Sequence, residues 1–475
     1  MASFIKKYSF RPLSPGVKSS VALFLSSVVS SGIAYLTTPI YTRILPAEIF
    51  GQVNVFMTWL NIFGILAMFC LMNGVFNNGM VDYPDKRDEY SFSMLGLSNL
   101  ITVVFGLLLL ALFPLIKQYL QIRPAYMALM FVIFFFQPAF NFWSARQRYE
   151  YKYKSLVFWS ILLAFLSPIV AIVAILAFKE DKLTARIFGA YLPMVIVYIG
   201  FYFHLGSKCR FKMNKSYWRP AFLFNLPLIP HYLSALLLTS SNTLMIAYLV
   251  NEQSTAYYSV AFSLSMIVNI VWNAINASLI PYTYEKCREG DHSSIARVTT
   301  PILILFAFIC LIIIVLAPEI VRIMATNEYM EAIYAIPPII GGAFFQVLYY
   351  VFANVIYYYK RPVYVMIASV VAAVLNIILN LFLIPKFGYL VVGYTTLLCY
   401  GIQATIDYYA MRHVVGSSIY NMRQIVFLSL TTIIGSILCV FIYDYLIIRY
   451  IILFIVLALM FVKRKDILRI VQIDK

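Results

Sequence analysis

The chain has 475 residues, of which 63% are hydrophobic and only 12% are charged. A soluble domain is about 45–50% apolar and about 25% charged, so this chain lacks the charged residues that would cover a water-exposed surface. A soluble enzyme, a disulfide-stabilised scaffold and a disordered chain are therefore excluded, and a polytopic membrane protein is predicted. The net charge of +17 is typical of basic cytoplasmic loops, and no basic stretch has a context for nucleic-acid binding.

Fourteen apolar runs are long enough to cross a bilayer, for which a helix needs roughly 20 residues. The predicted fold is therefore all-α, with 12–14 transmembrane helices. In chain order the predicted spans are 19–41, 51–77, 92–116, 125–143, 155–178, 187–206, 226–249, 257–282, 299–318, 333–359, 363–385, 389–411, 425–443 and 446–462.

The basic residues are distributed unevenly between alternate loops. With the N-terminus placed in the cytoplasm, the inside segments hold 27 of the 36 Lys and Arg residues and the outside loops hold nine. The positive-inside rule therefore predicts that both termini are cytoplasmic. The acidic residues Asp407 and Asp444 are expected near span ends, so no membrane-embedded carboxylate is predicted.

Two weak internal matches indicate a repeat. Residues 135–137 and 344–346 both read FFQ, and a basic loop follows each of them. Residues 51–55 resemble residues 256–260 at nearly the same offset. This offset is six spans, an even number, which predicts two pseudo-symmetric six-helix lobes of like orientation around a central cavity. The predicted division is an N-lobe at 1–206, a C-lobe at 207–411, and two appended spans with a cytoplasmic tail at 412–475.

Amide side chains recur within the spans at helical spacing. Steps of three, four or seven residues place them on one face of a helix. An amide that faces lipid is costly, so each of these faces should contact protein or water. Two roles stay open for them, namely hydrogen bonds between helices and the wall of a hydrated cavity that binds sugar hydroxyls. The predicted substrate-binding amides are Asn61, Asn73, Asn77, Gln137, Asn141, Asn242, Asn269, Asn273, Asn276, Gln346, Asn376 and Asn380.

Three further residues are candidates for the same site. His231, at the start of span 7, is either a packed histidine or a proton relay. Arg43 lies just outside span 1 and Arg146 just past the amides of span 4, where a guanidinium could bind a phosphate. The alternatives are a pair with Glu48 for Arg43 and a plain positive-inside anchor for Arg146. The sequence has no catalytic constellation, metal-ligand cluster or nucleotide-binding motif, so neither enzyme activity nor a cofactor is expected.

Three segments together resemble a known family. Residues 35–51 read YLTTPIYTRILPAEIFG, which resembles the Pro-x-x-Thr-Arg-x-Leu pattern, with an aromatic residue and glycine after it, of bacterial polysaccharide flippases. Residues 376–388 read NIILNLFLIPKFG and are similar to their turn between spans 11 and 12; residues 257–261 resemble the start of their span 8. The chain thus resembles the polysaccharide transport branch, O-antigen type, of the multidrug/oligosaccharidyl-lipid/polysaccharide exporter superfamily. It departs from that branch at Asn242-Thr243, where Asp-Arg is common.

The resemblance implies a flippase of the bacterial cytoplasmic (inner) membrane that moves oligosaccharide units linked to a polyprenyl diphosphate to the outer leaflet by alternating access. The implied partners are the lipid-linked oligosaccharide, membrane lipids, a polysaccharide polymerase and a chain-length regulator. Arg146 would receive the diphosphate at the cytoplasmic face and Arg43 at the outer face. Two alternatives remain open, a drug or metabolite efflux antiporter of the same superfamily and a structural membrane protein. Export of soluble cations would favour an embedded acid, which the sequence does not predict.

Overall fold

The computed structural model describes residues 15–73, 75–120, 122–150 and 152–462. Within these residues the regular secondary structure is helical and contains no strand, so the all-α prediction is confirmed. Fourteen of the described helices have 17 residues or more, and they follow the order of the predicted spans. They are α1 Pro15–Ile44, α2 Ala47–Met68, α3 Arg87–Leu120, α4 Pro124–Tyr149, α5 Tyr153–Ala177, α6 Lys182–Lys208, α7 Ile229–Leu249, α8 Glu252–Glu289, α9 His292–Val315, α10 Ile336–Tyr358, α11 Pro362–Phe387, α12 Val391–Val415, α13 Met422–Ile442 and α14 Leu446–Val462.

The length and composition of these helices make the chain a multi-pass membrane protein. Ten of the described helices are long and apolar enough to cross a membrane, and α7 adds an eleventh if its two bent halves form one span. α12 is not in this group, and it carries the polar residues Gln403 and Asp407 well inside its 25 residues. α14 is apolar but has only 17 residues.

The second predicted span, 51–77, is interrupted. α2 ends at Met68, and the next two residues, Phe69 and Cys70, have positive φ angles of 55° and 47°. A short 3-10 turn at Leu71–Asn73 and a separate helix at Val75–Asp82 follow. Bulky residues rarely adopt this left-handed backbone, which costs roughly 1–3 kcal/mol each, so other contacts must stabilise the break.

Asn225 supplies those contacts. Its side-chain amide donates to the carbonyl oxygen of Phe69 at 2.9 Å, and its Oδ1 accepts from the N–H of Val75 at 3.3 Å. Asn225 is completely buried, so it satisfies backbone groups that the interrupted helix leaves without partners in an apolar setting.

The chain divides into two compact units. Unit 1 comprises Met1–Thr37 and Leu60–Pro230, and unit 2 comprises Thr38–Trp59 and His231–Lys475. The end of α1 and the start of α2 therefore belong to unit 2, although the rest of both helices belongs to unit 1. The lobe boundaries at residues 206 and 411 stay a prediction.

Each unit has its own apolar core. Large aromatic side chains dominate the core of unit 1, where Phe76, Phe92, Phe142 and Trp143 are all buried. In unit 2 the central element is α10, which packs against α8, α9, α12 and α13 and has 83% of its most apolar stretch buried. Aromatic and aliphatic side chains thus hold the helices together, and polar groups within the units need specific partners.

Gly51 marks a close approach between α2 and α8 in unit 2. A Cβ atom at this position would overlap the backbone carbonyl of Glu252. Because backbone cannot move aside as a flexible side chain can, we expect Gly51→Ala to lower the free energy of unfolding by about 1–3 kcal/mol. Thermal unfolding of the purified protein in detergent measures this change. Gly200→Ala in α6 is the matched control, since a Cβ there meets nothing within 4 Å, and an equal loss in both variants would contradict the prediction.

Candidate functional site

The predicted amides fall into two groups, and the first lies in a buried hydrogen-bond network of unit 2. Asn380 on α11 donates to Oδ1 of Asn242 on α7 at 2.8 Å and to Oδ1 of Asn376 at 3.2 Å. Its own Oδ1 accepts from the Thr395 hydroxyl of α12 at 2.5 Å. Asn242, Asn376 and Asn380 each have 0% exposure.

The network reaches a fourth helix through Asn242. Its amide donates to the hydroxyl of Tyr258 on α8 at 2.9 Å and to Thr396 Oγ1 on α12 at 3.0 Å. These side chains therefore join α7, α8, α11 and α12, the interhelical role that the sequence left open. We call this set the Asn380 network, and its members are Asn242, Tyr258, Asn376, Asn380, Thr395 and Thr396.

Two other predicted amides of unit 2 are also bonded. Asn276 on α8 accepts at Oδ1 from the amide of Asn354 on α10 at 2.8 Å. Asn269 donates to the backbone carbonyl of Ser265, one turn earlier on α8, at 3.3 Å. These contacts also stabilise helices and helix pairs, and they occupy groups that a sugar would otherwise use.

The second group consists of amides that have no hydrogen-bond partner among the residues that the structure describes. In a membrane protein such side chains are available to water or a ligand, because an unpaired amide against lipid would be costly. Unit 1 contributes four and unit 2 contributes two: Asn61, Asn77, Gln137, Asn141, Asn273 and Gln346, all half-buried or exposed.

Two of the predicted residues cannot be assigned to either group. The side chains of Asn73 and His231 lie outside the described part of the structure. Asn141 of the second group lines a cavity of about 110 Å³ in unit 1, together with Ser98 and Pro138. Its amide can therefore contact a molecule that enters this cavity.

Arg146 is held by two carboxylates of unit 1. Its Nη1 forms an ion pair with Asp88, at the start of α3, and its Nε forms another with Glu150 at 2.5 Å. Burial raises the pKa of Glu150, but hydrogen bonds from Lys152 and Arg146 outweigh it and leave that pKa below its ordinary value. The stabilisation from this carboxylate is therefore present at neutral pH and is lost as the pH falls through the lowered pKa.

Arg43 binds backbone carbonyls in unit 2. One of its Nη atoms donates to Pro39 O at 2.6 Å and the other to Ile323 O at 3.0 Å. The neighbouring Thr42 hydroxyl donates to Met324 O at 2.9 Å. Ile323 and Met324 end the short helix Ala317–Met324, so Thr42 and Arg43 cap its last carbonyls. The alternative pair with Glu48 is not among the ion pairs of the described residues.

A basic cavity of about 490 Å³ lies where the ends of α4 and α6 meet the start of α5 in unit 1. Lys152, Lys154, Lys208 and His204 line it, and Glu150 is the one acid of its lining in the described part of the chain. The sequence shows that both contributing loops are rich in basic residues, but it does not show that these loops meet at one cavity.

Asp407 corrects one prediction. It was expected near a span end, but it lies eight residues before the end of α12 and has 0% exposure. Neither of its carboxylate oxygens has a hydrogen-bond partner in the described structure. Unit 2 therefore contains a carboxylate that is fully buried among its helices, and buried ionisable residues of membrane proteins usually have a functional role.

No group of three His, Cys, Asp or Glu side chains that could hold a metal ion occurs in the described ranges. The candidate functional groups of unit 1 are four open amides and a basic cavity, and those of unit 2 are two open amides and the buried acid Asp407. These features define a helical membrane transporter of the kind that binds polar solutes between its helices.

Comparison with known proteins agrees with this class. The chain belongs to the polysaccharide biosynthesis protein family, whose model matches residues 17–287. It is 23% identical over 277 residues to "Lsg locus putative protein 1" of Haemophilus influenzae, an alignment that covers 57% of this chain and 67% of that protein. The family match confirms the resemblance predicted from the sequence.

Solved structures share the fold at low sequence identity. The lipid II flippase MurJ, in an inward closed conformation, is similar with a TM-score of 0.64 and 15% identity, over 94% of this chain and 99% of that one. An inward-facing multidrug resistance MATE family transporter of the MOP superfamily is similar with a TM-score of 0.59 and 11% identity, over 83% and 98% of the two chains. These likenesses establish a fold shared with two-lobe transporters.

Proposed function

We propose that the protein is a flippase that moves polyprenyl-diphosphate-linked oligosaccharide units from the cytoplasmic to the outer leaflet, for O-antigen or another surface polysaccharide. The observation that carries the proposal is the match of residues 17–287 to a polysaccharide biosynthesis family. Because the same chain has the fold of a transporter, its part in that biosynthesis is proposed to be transport. The similar fold of a lipid II flippase supports a lipid-linked substrate.

The physical need for such a protein follows from the chemistry of the substrate. Each charge at the bilayer centre costs at least about 2.5 kcal/mol, and the desolvated sugar hydroxyls add to this cost. Open amides can both donate to and accept from sugar hydroxyls. We therefore assign sugar contacts to Asn61, Asn77, Gln137, Asn141, Asn273 and Gln346, and helix packing to the Asn380 network.

The setting of the proposed flippase is the bacterial cytoplasmic membrane, with both termini in the cytoplasm. The excess of Lys and Arg in the predicted inside segments supports this orientation. A polysaccharide polymerase and a chain-length regulator would then receive the units at the outer face. The protein itself would move its substrate without changing it chemically.

A drug or metabolite antiporter is the second candidate, and one specific observation favours it. Asp407 is an embedded acid, which cation-coupled exporters commonly use, and a MATE transporter shares the fold. The two candidates differ in what accumulates when the protein is missing.

Deletion of the gene tests the proposal. A strain without the flippase should accumulate lipid-linked oligosaccharide in the cytoplasmic leaflet and lose surface polysaccharide, and the intact gene should restore both. A variant in which Asn61, Asn77, Gln137 and Asn141 are replaced by alanine should restore display poorly at matched protein levels. Gln424→Ala, an exposed amide at the start of α13, is the control. Unchanged lipid-linked oligosaccharide together with new drug sensitivity would favour the antiporter instead.

A further inference from the structure

Unit 1 contains a second polar cavity, of about 310 Å³, that none of the predicted site residues lines. Three helices form it, and its lining has one apolar residue, Leu156 on α5. The other lining residues are five serines and one arginine: Ser26, Ser30 and Ser31 on α1, Ser144 and Arg148 on α4, and Ser160 on α5.

The spacing of these residues explains how they converge. Ser26 and Ser30 are four residues apart on α1, and Ser144 and Arg148 are four residues apart on α4. Residues at this spacing lie one above the other on the same helix face. α1 and α4 therefore each turn one polar face, a full turn in length, toward the cavity, and α5 adds the single hydroxyl of Ser160.

The donors in this cavity are free. Serines inside membrane helices usually donate to the carbonyl one turn earlier, and Ser91 and Ser241 do so here, at 2.6 and 2.5 Å. Among the residues that the structure describes, none of the five cavity serines has a hydrogen-bond partner, and neither has the guanidinium of Arg148. Six polar side chains with unused donors thus surround one space.

The charge of the cavity selects an anion. No acidic side chain of the described residues lines it, so the charge of Arg148 is not neutralised there. Arg146, two residues earlier, lies on a different face of α4 and is occupied by Asp88 and Glu150. A guanidinium with surrounding hydroxyl donors matches the several acceptor oxygens of a phosphoryl group, whereas a neutral sugar would not need the charge.

We propose that the cavity lined by Arg148 and the five serines binds the diphosphate of the lipid-linked substrate. This inference rests on the proposed function and names Arg148, not Arg146, as the phosphate-binding arginine of α4. The hydroxyls replace water around the phosphate oxygens, so the charged group can stay within unit 1 without a hydration shell. The headgroup of an anionic phospholipid has the same phosphate chemistry, and the experiment separates the two sources.

Binding of farnesyl diphosphate to the full-length protein in phosphatidylcholine nanodiscs tests the proposal. Arg148→Gln should weaken binding about tenfold or more, since a charge-assisted contact to phosphate is lost. Arg412→Gln is the matched control, because Arg412 is also an exposed arginine in the last turn of a membrane helix. Inorganic pyrophosphate should compete with the probe for the wild-type protein.

A second variant covers the case in which Arg148→Gln fails to fold. The double variant Ser144→Ala and Ser160→Ala keeps the charge and should weaken binding about threefold to tenfold. Wild-type affinity in a folded Arg148→Gln protein, or an equal loss in Arg412→Gln, would overturn the proposal. The same binding measurement is repeated with the protein in nanodiscs that contain phosphatidylglycerol. Loss of probe binding there would also overturn the proposal and would identify a lipid headgroup site.

Failure of this inference can be told apart from failure of the proposed function. Accumulation of lipid-linked oligosaccharide in the deletion strain does not depend on which arginine binds phosphate. If Arg148→Gln binds the probe normally while the deletion strain accumulates that intermediate, only the cavity assignment is wrong. If neither effect is seen, the flippase proposal fails as well.

Discussion

Replacing Asn380 with alanine is expected to lower the free energy of unfolding by about 3 kcal/mol. The substitution removes three hydrogen bonds and leaves the amide oxygens of Asn242 and Asn376 without their donor, whereas the Thr395 hydroxyl still donates to the carbonyl oxygen of Val392. An average hydrogen bond between membrane helices contributes only about 0.6 kcal/mol, but an unpaired buried polar group costs about 1–3 kcal/mol, so the second effect dominates. Unfolding of the purified protein in mixed detergent micelles, followed by circular dichroism, measures the change.

The control for this prediction is another amide of unit 2. Asn273 on α8 is exposed and has no hydrogen-bond partner in the described ranges, so Asn273→Ala should change stability by less than about 0.5 kcal/mol. Similar values for the two variants would mean that the Asn380 network does not stabilise the four helices that it joins.

The second large effect is expected at Arg146. Removal of its side chain leaves Glu150, whose side chain is 12% exposed, and Asp88, which is 42% exposed, without their shared cation. Breaking a fully buried pair costs about 3–5 kcal/mol, but water reaches Asp88, so we expect Arg146→Ala to cost about 2 kcal/mol. The same unfolding measurement applies, and the loss should shrink at low pH as Glu150 becomes protonated.

A rescue experiment separates the two roles considered for Arg146. The triple variant Arg146→Ala, Asp88→Asn and Glu150→Gln removes the arginine together with both of its carboxylates, and the charge that it leaves without a partner is the solvent-exposed ammonium of Lys152. If Arg146 acts through its ion pairs, the triple variant should regain both stability and polysaccharide display. A stable triple variant that displays no polysaccharide would instead return the diphosphate role to Arg146.

Hydropathy predicted the helices because lipid demands long apolar runs, but it could not place the interruption in span 2. Phe69 and Cys70 are themselves apolar, so the break leaves no mark in composition. Its stabilising partner, Asn225, is about 150 residues further along the chain, as the hydrogen bond to Val75 shows. Contacts at that separation do not appear in any local sequence window.

The candidate site was predictable in residue type but not in role. Asn273 and Asn380 are both asparagines on predicted helix faces, yet one is exposed and the other has three partners. The same limit applies to Arg146 and Arg148, which differ in the face of α4 that they occupy. The serines of the Arg148 cavity could not be recognised as candidate site residues from the sequence, because a serine in a membrane helix usually donates to a carbonyl of its own helix. Asp407 was misplaced because its predicted span, 389–411, ends four residues before α12 does.

The assignment of residues 38–59 to unit 2 affects how the protein must be made. Arg43 and its acceptor Ile323 are 280 residues apart in the sequence. At a synthesis rate of about 5–20 residues per second, the end of α1 waits on the order of half a minute before the helix that Arg43 caps, Ala317–Met324, has been made. During that time the end of α1 lacks its partners in unit 2, so its docking against them must be a late step of folding.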